Sequence, residues 1–211
     1  GNSLSCANAN DYLLVGTSSS TSNLAVGSNW TIETWFQYPL PANGGWNTLF
    51  RGTSYHHIIV SENSSSGVGN LGVYQGGFYG CGYNFNSQPL TNGWHHLAAV
   101  GTGGYTSFYI DGVFVGKSAA QPTDNIVAIG NYQGGGQYSG QLDEVRIWNT
   151  ALSQNTISSY MTQGITSSHP NWANLVAYYK MDGNGNDSKS GTYPGTLQTS
   201  ANFSSATAFY S

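Results

Sequence analysis

Charge is scarce in this 211-residue chain: Lys and Arg number 5, Asp and Glu 9, and together they make up 7% of the sequence. An average soluble domain carries roughly a quarter. Five scattered basic side chains and a formal net charge of −4 cannot neutralise a run of phosphates, which excludes nucleic acid as a partner. No apolar run reaches the ~18 residues a spanning helix needs, so no membrane insertion is expected. Cysteine is limited to Cys6 and Cys81. In an oxidising compartment they form one candidate disulfide, and otherwise they are two inert thiols. The opening Gly1-Asn2-Ser3 lacks the basic start and apolar core of a signal peptide, so the chain reads as a mature or excised piece.

What is abundant is Gly, Ser, Thr and Asn, close to half of all residues, with 14% aromatics. Low charge with many aromatics is the opposite of the disordered signature. A surface kept neutral by hydroxyls and amides points to a secreted, extracellular or cell-surface protein. Four Asn-x-Ser/Thr sequons, at Asn29, Asn63, Asn186 and Asn202, arise easily in so Asn/Ser-rich a chain. The length fits one β-rich domain over 1–211, in which 183–211 is expected to be a loop-rich C-terminal extension.

Alternation with period two runs almost throughout. Strands are predicted over 12–15, 30–37, 48–51, 55–60, 72–74, 94–100, 126–129, 142–148 and 175–181. A long hairpin over 94–117 turns at Asp111-Gly112, a favoured turn dipeptide. Many short strands between Gly, Asn and Asp clusters predict an all-β, antiparallel two-sheet jelly-roll sandwich. One segment departs: Ile157, Tyr160 and Met161 recur at helical spacing after Ser153, predicting a short helix near 153–163 with Ser153 as N-cap.

Three ordered phrases resemble a known family. Gly93-Trp94-His95-His96-Leu97-Ala98-Ala99-Val100, then Phe108-Tyr109-Ile110-Asp111-Gly112, then Gly140-Gln141-Leu142-Asp143-Glu144-Val145-Arg146-Ile147-Trp148-Asn149 are similar to laminin G-like jelly-roll modules of the concanavalin A-like lectin/glucanase superfamily. The likeness covers roughly 4–200 and includes the phrase Leu175-Val176-Ala177-Tyr178-Tyr179-Lys180-Met181-Asp182-Gly183. That strand either completes its own sheet, the favoured arrangement because it leaves no unpaired edge, or pairs with a neighbouring module. The resemblance implies a fold that hosts lectins, adhesins and hydrolases alike. It also implies calcium as a possible structural cofactor: Asp143 stands where relatives often place a ligand, with Asp11 and Asn10 nearby, although Ala7 stands where many relatives carry Asp. Asp182 to Asp187 alternates oxygen donors with glycine and is either a second calcium loop or a polar turn.

Strand parity sorts the candidate chemistry. Ile32, Thr34 and Phe36 share one face, and Glu33, Trp35 and Gln37 the other; Glu144, Arg146 and Trp148 oppose Val145 and Ile147. Glu33, Trp35, Arg146 and Trp148 therefore form either a sugar-binding groove with a Glu33–Arg146 pair or a covered second core. Catalysis has little support, because the Glu-x-Asp-x-x-Glu motif of the family's glucanases is absent and glycoside hydrolysis requires two carboxylates flanking the bond. His56-His57 and His95-His96 can each offer a metal only one ring, since neighbours on a strand point to opposite faces.

The loops are most suggestive. Tyr74-Gln75-Gly76-Gly77-Phe78-Tyr79 and Tyr132-Gln133-Gly134-Gly135-Gly136-Gln137-Tyr138 share a Tyr-Gln-Gly-Gly core. Flat rings with neutral donors and acceptors suit uncharged sugars or adaptable protein contacts, while glycine-rich turns need no ligand to explain them. The reading is a non-catalytic carbohydrate-binding or adhesion module. Tyr74, Tyr79, Tyr132, Tyr138 and Trp46 stack on a neutral glycan of a cell-surface or matrix component, and Gln75, Asn131 and Gln133 bond its hydroxyls. The alternative is a structural repeat whose partners are neighbouring modules of the same protein, and a hydrolase ranks last.

Overall fold

The computed structural model describes residues 1–15, 24–42, 45–61, 69–132 and 137–208. In chain order these form β1 (Ser3–Cys6), β2 (Tyr12–Val15), β3 (Trp30–Tyr38), β4 (Trp46–Gly52) and β5 (His56–Ser61). Next come β6 (Asn70–Tyr74), β7 (Phe78–Asn84), β8 (Gly93–Thr102), β9 (Tyr105–Ile110) and β10 (Val113–Ser118). Then follow β11 (Ile126–Gly130), β12 (Gly140–Trp148), helix α1 (Gln154–Tyr160), β13 (Leu175–Tyr179), β14 (Gly195–Gln198) and β15 (Asn202–Ser204). The expected antiparallel jelly roll is the observed fold.

The strands make two stacked sheets. The first runs β10-β9-β8-β3-β12-β1-β15, and the second β14-β2-β11-β4-β5-β6-β7. Between them lies the main core, fed by alternate residues such as Ile32 and Phe36 from β3 and Val145 and Ile147 from β12. Each large apolar side chain buried there contributes about 1.5–3 kcal/mol. Trp30 is wholly buried and donates its indole N–H to the Pro122 carbonyl at 2.8 Å, so the ring enters the core without an unpaired donor.

Strand β12 is the keel of the first sheet. Along one edge it pairs with β3; along the other, β1 pairs at 140–142 and β13 at 145–148, end to end. The changeover falls at Asp143–Glu144, where Glu144 adopts a left-handed φ of 50° and the register with β3 shifts. Leu175–Tyr179 thus completes its own sheet. Residues 183–208 are more than a loop-rich extension: β14 closes the edge of the second sheet against β2, and β15 closes the first against β1. At three residues β15 is too short to leave an alternation signal.

Cys6 and Cys81 are not paired; both are free and buried. The topology forbids the bond. Cys81 lies on β7, whose backbone touches β10 where a Cβ on Gly116 would meet the Cys81 carbonyl. Cys6 lies on β1, five strands from β10 in the first sheet, or roughly 24 Å at the usual strand spacing.

The two outer faces differ. Over the first sheet lies a second core of Ala98, Val100, Trp148, Leu152, Ile157, Leu175 and Tyr178, roofed by α1 and the segment after it. Ser153 caps α1 by accepting from the Thr156 N–H at 3.1 Å. The helix stops at Tyr160 rather than 163 because the sheet takes its last carbonyls. Arg146 donates to Tyr160 O at 3.0 Å and Gln163 O at 2.6 Å, and Trp35 Nε1 donates to Met161 O at 2.9 Å. Those carbonyls would otherwise lack partners at the helix end. The outer face of the second sheet carries no such roof among the described residues.

Candidate functional site

The first sheet's outer face is the covered second core. Glu33, Arg146 and Trp148 are buried. Arg146 lies 3.6 Å from the carboxylate of Glu144, not paired with Glu33, and Glu33 accepts from the Trp148 indole at 2.7 Å. Burial raises the pKa of Glu33 against the opposing pull of Arg146 and that hydrogen bond. Burial also raises Glu144, whose carboxylate accepts from the Tyr178 hydroxyl. His96, 3.6 Å from Glu33, is pushed down to about 3 by burial and the Arg146 charge and stays neutral. These groups knit the roof to the sheet.

The second sheet's outer face holds a cleft of about 360 Å³ lined by Trp46, His56, Ile59, Tyr74 and Gln137. Its size falls within the usual range for small-ligand sites. Alternation broken by one irregularity builds it: Trp46 and Thr48 from β4, His56 and Ile59 from β5 and Tyr74 from β6 face outward, while Leu49, Ile58, Val60 and Val73 enter the main core, and a register shift between His56 and Ile59 lets two residues three apart share the outer face. Half-buried Trp46 is held edge-on by Phe78 (ring centroids 5.2 Å apart) and Tyr74 (6.4 Å), and Tyr74 meets His56 at 5.5 Å. The aromatic corner is fixed by its neighbours before any ligand arrives.

A hydrogen-bonded relay sets the polar groups. Thr48 Oγ1 donates its single proton to Gln137 Oε1 and lies 2.9 Å from His56 Nδ1, so Nδ1 carries hydrogen and Nε2 is the acceptor. Burial, aided by the charge on cross-strand Arg51 and by His57 and opposed by Asp124, pushes His56 down to about 4. The imidazole is therefore neutral near pH 7. Gln137, with its oxygen engaged, retains an NH₂. One neutral acceptor and one neutral donor beside a ring platform suit hydroxyl groups.

The sequence-predicted residues divide. Trp46 and Tyr74 share this cleft. Gln75 and Tyr79 lie on the other side of the β6–β7 turn, in a separate cleft. Tyr138 is half-buried, with its carbonyl accepting from Asn47 Nδ2 at 2.9 Å. Tyr132 does not offer a free face: it is buried and packs edge-on against Tyr12 at 5.6 Å, with Val127 and Ala128. Asn131 is also buried and donates to Asn10 Oδ1 at 3.2 Å. Gln133 lies outside the described residues, as does the sequon at Asn63. His56 and Gln137 are additions that sequence reasoning missed as ligand contacts.

The proposed calcium ligands do not form a cage. Asp11 accepts from Asn8 N, Ser200 N and Ser200 Oγ at 2.7–2.9 Å, and Asp143 from Glu144 N, Thr207 Oγ1 and Ala208 N at 2.9–3.1 Å. Each carboxylate secures a different stretch of the C-terminal segment. Asn10 is bound to Asn131. Among the described residues no three His, Cys, Asp or Glu side chains gather as a metal site. Asp187 closes a turn, accepting from Tyr178 N, Lys189 N and Ser190 Oγ.

Other clefts are less suited. One of about 100 Å³, lined by Tyr38, Pro39, Leu40 and Phe85, is below the ~300 Å³ typical of ligand sites. Another, of about 290 Å³ beside Ser5, Ala7, Gln37 and Gln141, has no aromatic wall.

The described residues form an all-antiparallel two-sheet sandwich whose first sheet is roofed by α1 and whose second sheet is covered in part by Tyr132. The chain belongs to the concanavalin A-like lectin/glucanases superfamily, whose laminin G-type model matches residues 8–158. Among solved structures it resembles a candidate carbohydrate-binding protein of Bacteroides ovatus, at 22% identity over 97% of this chain with a TM-score of 0.69. The chain spans 60% of that protein's length. It also resembles the heptameric SAP-like pentraxin of Limulus polyphemus, at 17% identity over 96% of this chain and 88% of the pentraxin, TM-score 0.51. At these identities the likeness is one of fold. No curated protein matches the sequence. No helix among the described residues is long and apolar enough to cross a membrane.

Proposed function

We propose that the chain is a non-catalytic carbohydrate-binding module acting outside the cell, which holds an uncharged sugar in the cleft on the second sheet. Trp46 and Tyr74 supply ring faces for the C–H-rich side of the sugar. His56 Nε2 accepts from one hydroxyl, and the Gln137 amide donates to a neighbour. The observation that carries this reading is the rigid aromatic corner beside a neutral donor–acceptor pair, on a part of the second sheet that the described residues leave uncovered. Glu33 and Glu144, the acids on the sheet faces, are buried beneath the α1 roof instead of bordering the cleft, which favours binding without hydrolysis. Binding proceeds without calcium, since Asp11 and Asp143 are already engaged.

The test is a neutral-glycan array read with and without chelator, followed by calorimetry on Tyr74→Ala and Trp46→Ala. Chelator-insensitive binding that weakens in both variants is expected. Unchanged affinity in both would remove this site, and release of newly formed reducing ends would restore the hydrolase reading.

A further inference from the structure

We infer that the chain carries a second, independent neutral-sugar site at the end of the sandwich, on the far side of the β6–β7 turn. It rests on the reading of the chain as a neutral-glycan binder, but uses none of the residues of the first cleft. The site is an open cleft of about 640 Å³ lined by Tyr55, Gln75, Tyr79, Gly104, Gln121 and Thr123, among others.

Four turns converge there, and each is fastened. Asp124 Oδ2 accepts from the backbone N–H of Ser54 at 2.7 Å and of Tyr55 at 3.1 Å, fixing the β4–β5 turn that presents Tyr55. A Cβ on Gly52 would collide with that carboxylate, so the turn is built around Asp124. Gln121 ties two more segments: its Oε1 accepts from Gly104 N–H and its Nε2 donates to the Ser28 carbonyl, both at 2.8 Å. Gln75 Oε1 accepts from Gln121 N–H at 3.1 Å, which orients its NH₂ as the remaining donor. Ser118 Oγ donates to the Tyr79 carbonyl at 2.8 Å, anchoring the strand end that bears Tyr79.

The chemistry follows from what lines the cleft. Tyr79 is 42% exposed and offers a ring face. Tyr55 supplies a second phenol. The amides of Gln75 and Gln121 are neutral, and among the described residues no Asp, Glu, Lys, Arg or His lines the cleft. An anion or cation would have to shed its hydration without a counter-charge. A polyhydroxylated uncharged ring exchanges water for amide and phenol groups while stacking.

The two clefts are separated by a single strand end. Tyr74 lines one and Gln75 the other, and His56 and Tyr55 divide in the same way. Consecutive Cα atoms lie about 3.8 Å apart, so the two clefts adjoin at this rim. Occupation of both raises the effective concentration for the second contact.

The two sites have different reporters, because Trp46 belongs to the first and no tryptophan lines the second. In amide and indole proton–nitrogen NMR spectra, maltotriose, cellotriose, mannotriose and xylotriose are titrated to millimolar concentration. The inference expects at least one of them to shift the side-chain amides of Gln75 and Gln121 and the Gly104 N–H as well as the Trp46 indole. Tyr79→Ala should abolish the first set and leave the indole shift intact. Shifts at Trp46 alone overturn the second site and leave the first standing. No shift at either set with any of the four overturns both. Gln75 and Gln121 shifts that persist unchanged in both Tyr79→Ala and Tyr55→Ala also overturn the assignment.

Discussion

The Trp148 indole donates to Glu33 Oε2 at 2.7 Å, inside a layer from which solvent is excluded. The two side chains are diagonal neighbours on paired strands, since Trp148 faces Thr31 and Arg146 faces Glu33. That bond marks the first sheet's outer surface as interior. The face richest in conspicuous polar and aromatic residues holds α1 in place, which is why the proposed sugar site lies on the other sheet.

Trp148→Phe removes the donor and the second ring of a fully buried side chain, leaving a buried carboxylate short of a partner beside a small void. Such a loss costs about 1–3 kcal/mol. Urea unfolding should show it as a lower midpoint with an unchanged slope, while glycan binding at 25 °C is unaffected. A variant as stable as the parent would mean Glu33 is satisfied by other means.

Trp46→Ala and Tyr74→Ala each remove a ring platform from the first cleft. Ring anchors at the centre of a site commonly carry more than 1.4 kcal/mol, or tenfold in Kd. Calorimetry should show at least that loss, with thermal unfolding confirming that each variant is folded. Equal Kd values for parent and variants would exclude stacking there.

The pH dependence of stability has a definite sign at His56. Its folded pKa of about 4 lies below the ordinary 6.5, so the unfolded chain takes up a proton first as pH falls. Stability from the neutral ring is complete above about pH 6.5 and is lost between there and about pH 4, amounting to roughly 3 kcal/mol. Relative to His56→Gln, the parent should lose that much over this window in urea titrations. Glycan affinity should stay flat from about pH 8 to pH 5, because the Nε2 acceptor survives. A difference between parent and variant that does not vary with pH would refute the neutral assignment.

Burial pushes the Cys6 thiol up to about 12 and that of Cys81 to about 11, so neither offers thiolate at pH 8. Iodoacetamide should modify neither in the folded protein and both after denaturation without reductant. A single species that resists alkylation until reduced would show a disulfide after all.

Much of the architecture was legible because the long strands alternate: β3 and β8 carry their main-core residues at period two, β12 does so from Val145 onward after its irregularity at Asp143–Glu144, and Ser153 announces α1. The closing strand β15 was not, having too few residues to show a period. Trp46 and Tyr74 were found as ring platforms from composition, yet their separation from Gln75 and Tyr79 depends on how a two-residue step at a turn divides faces. Gln137 owes its place to Thr48, 89 positions away, and no local pattern encodes that. Tyr132 misled for a related reason: after Gly130, at φ 96°, the chain folds back onto β2 and buries the ring that its glycine-rich loop seemed to display.

The closing strands have a consequence for biosynthesis. Because β14 finishes one sheet and β15 the other, both remain unsealed until residues 195–204 have left the ribosome. Each nascent chain therefore passes through a stage with two open ladders at once, when sticking to a neighbouring nascent copy competes with maturation. Slow translation of that last stretch, or truncation before it, should raise aggregation out of proportion to the few residues involved.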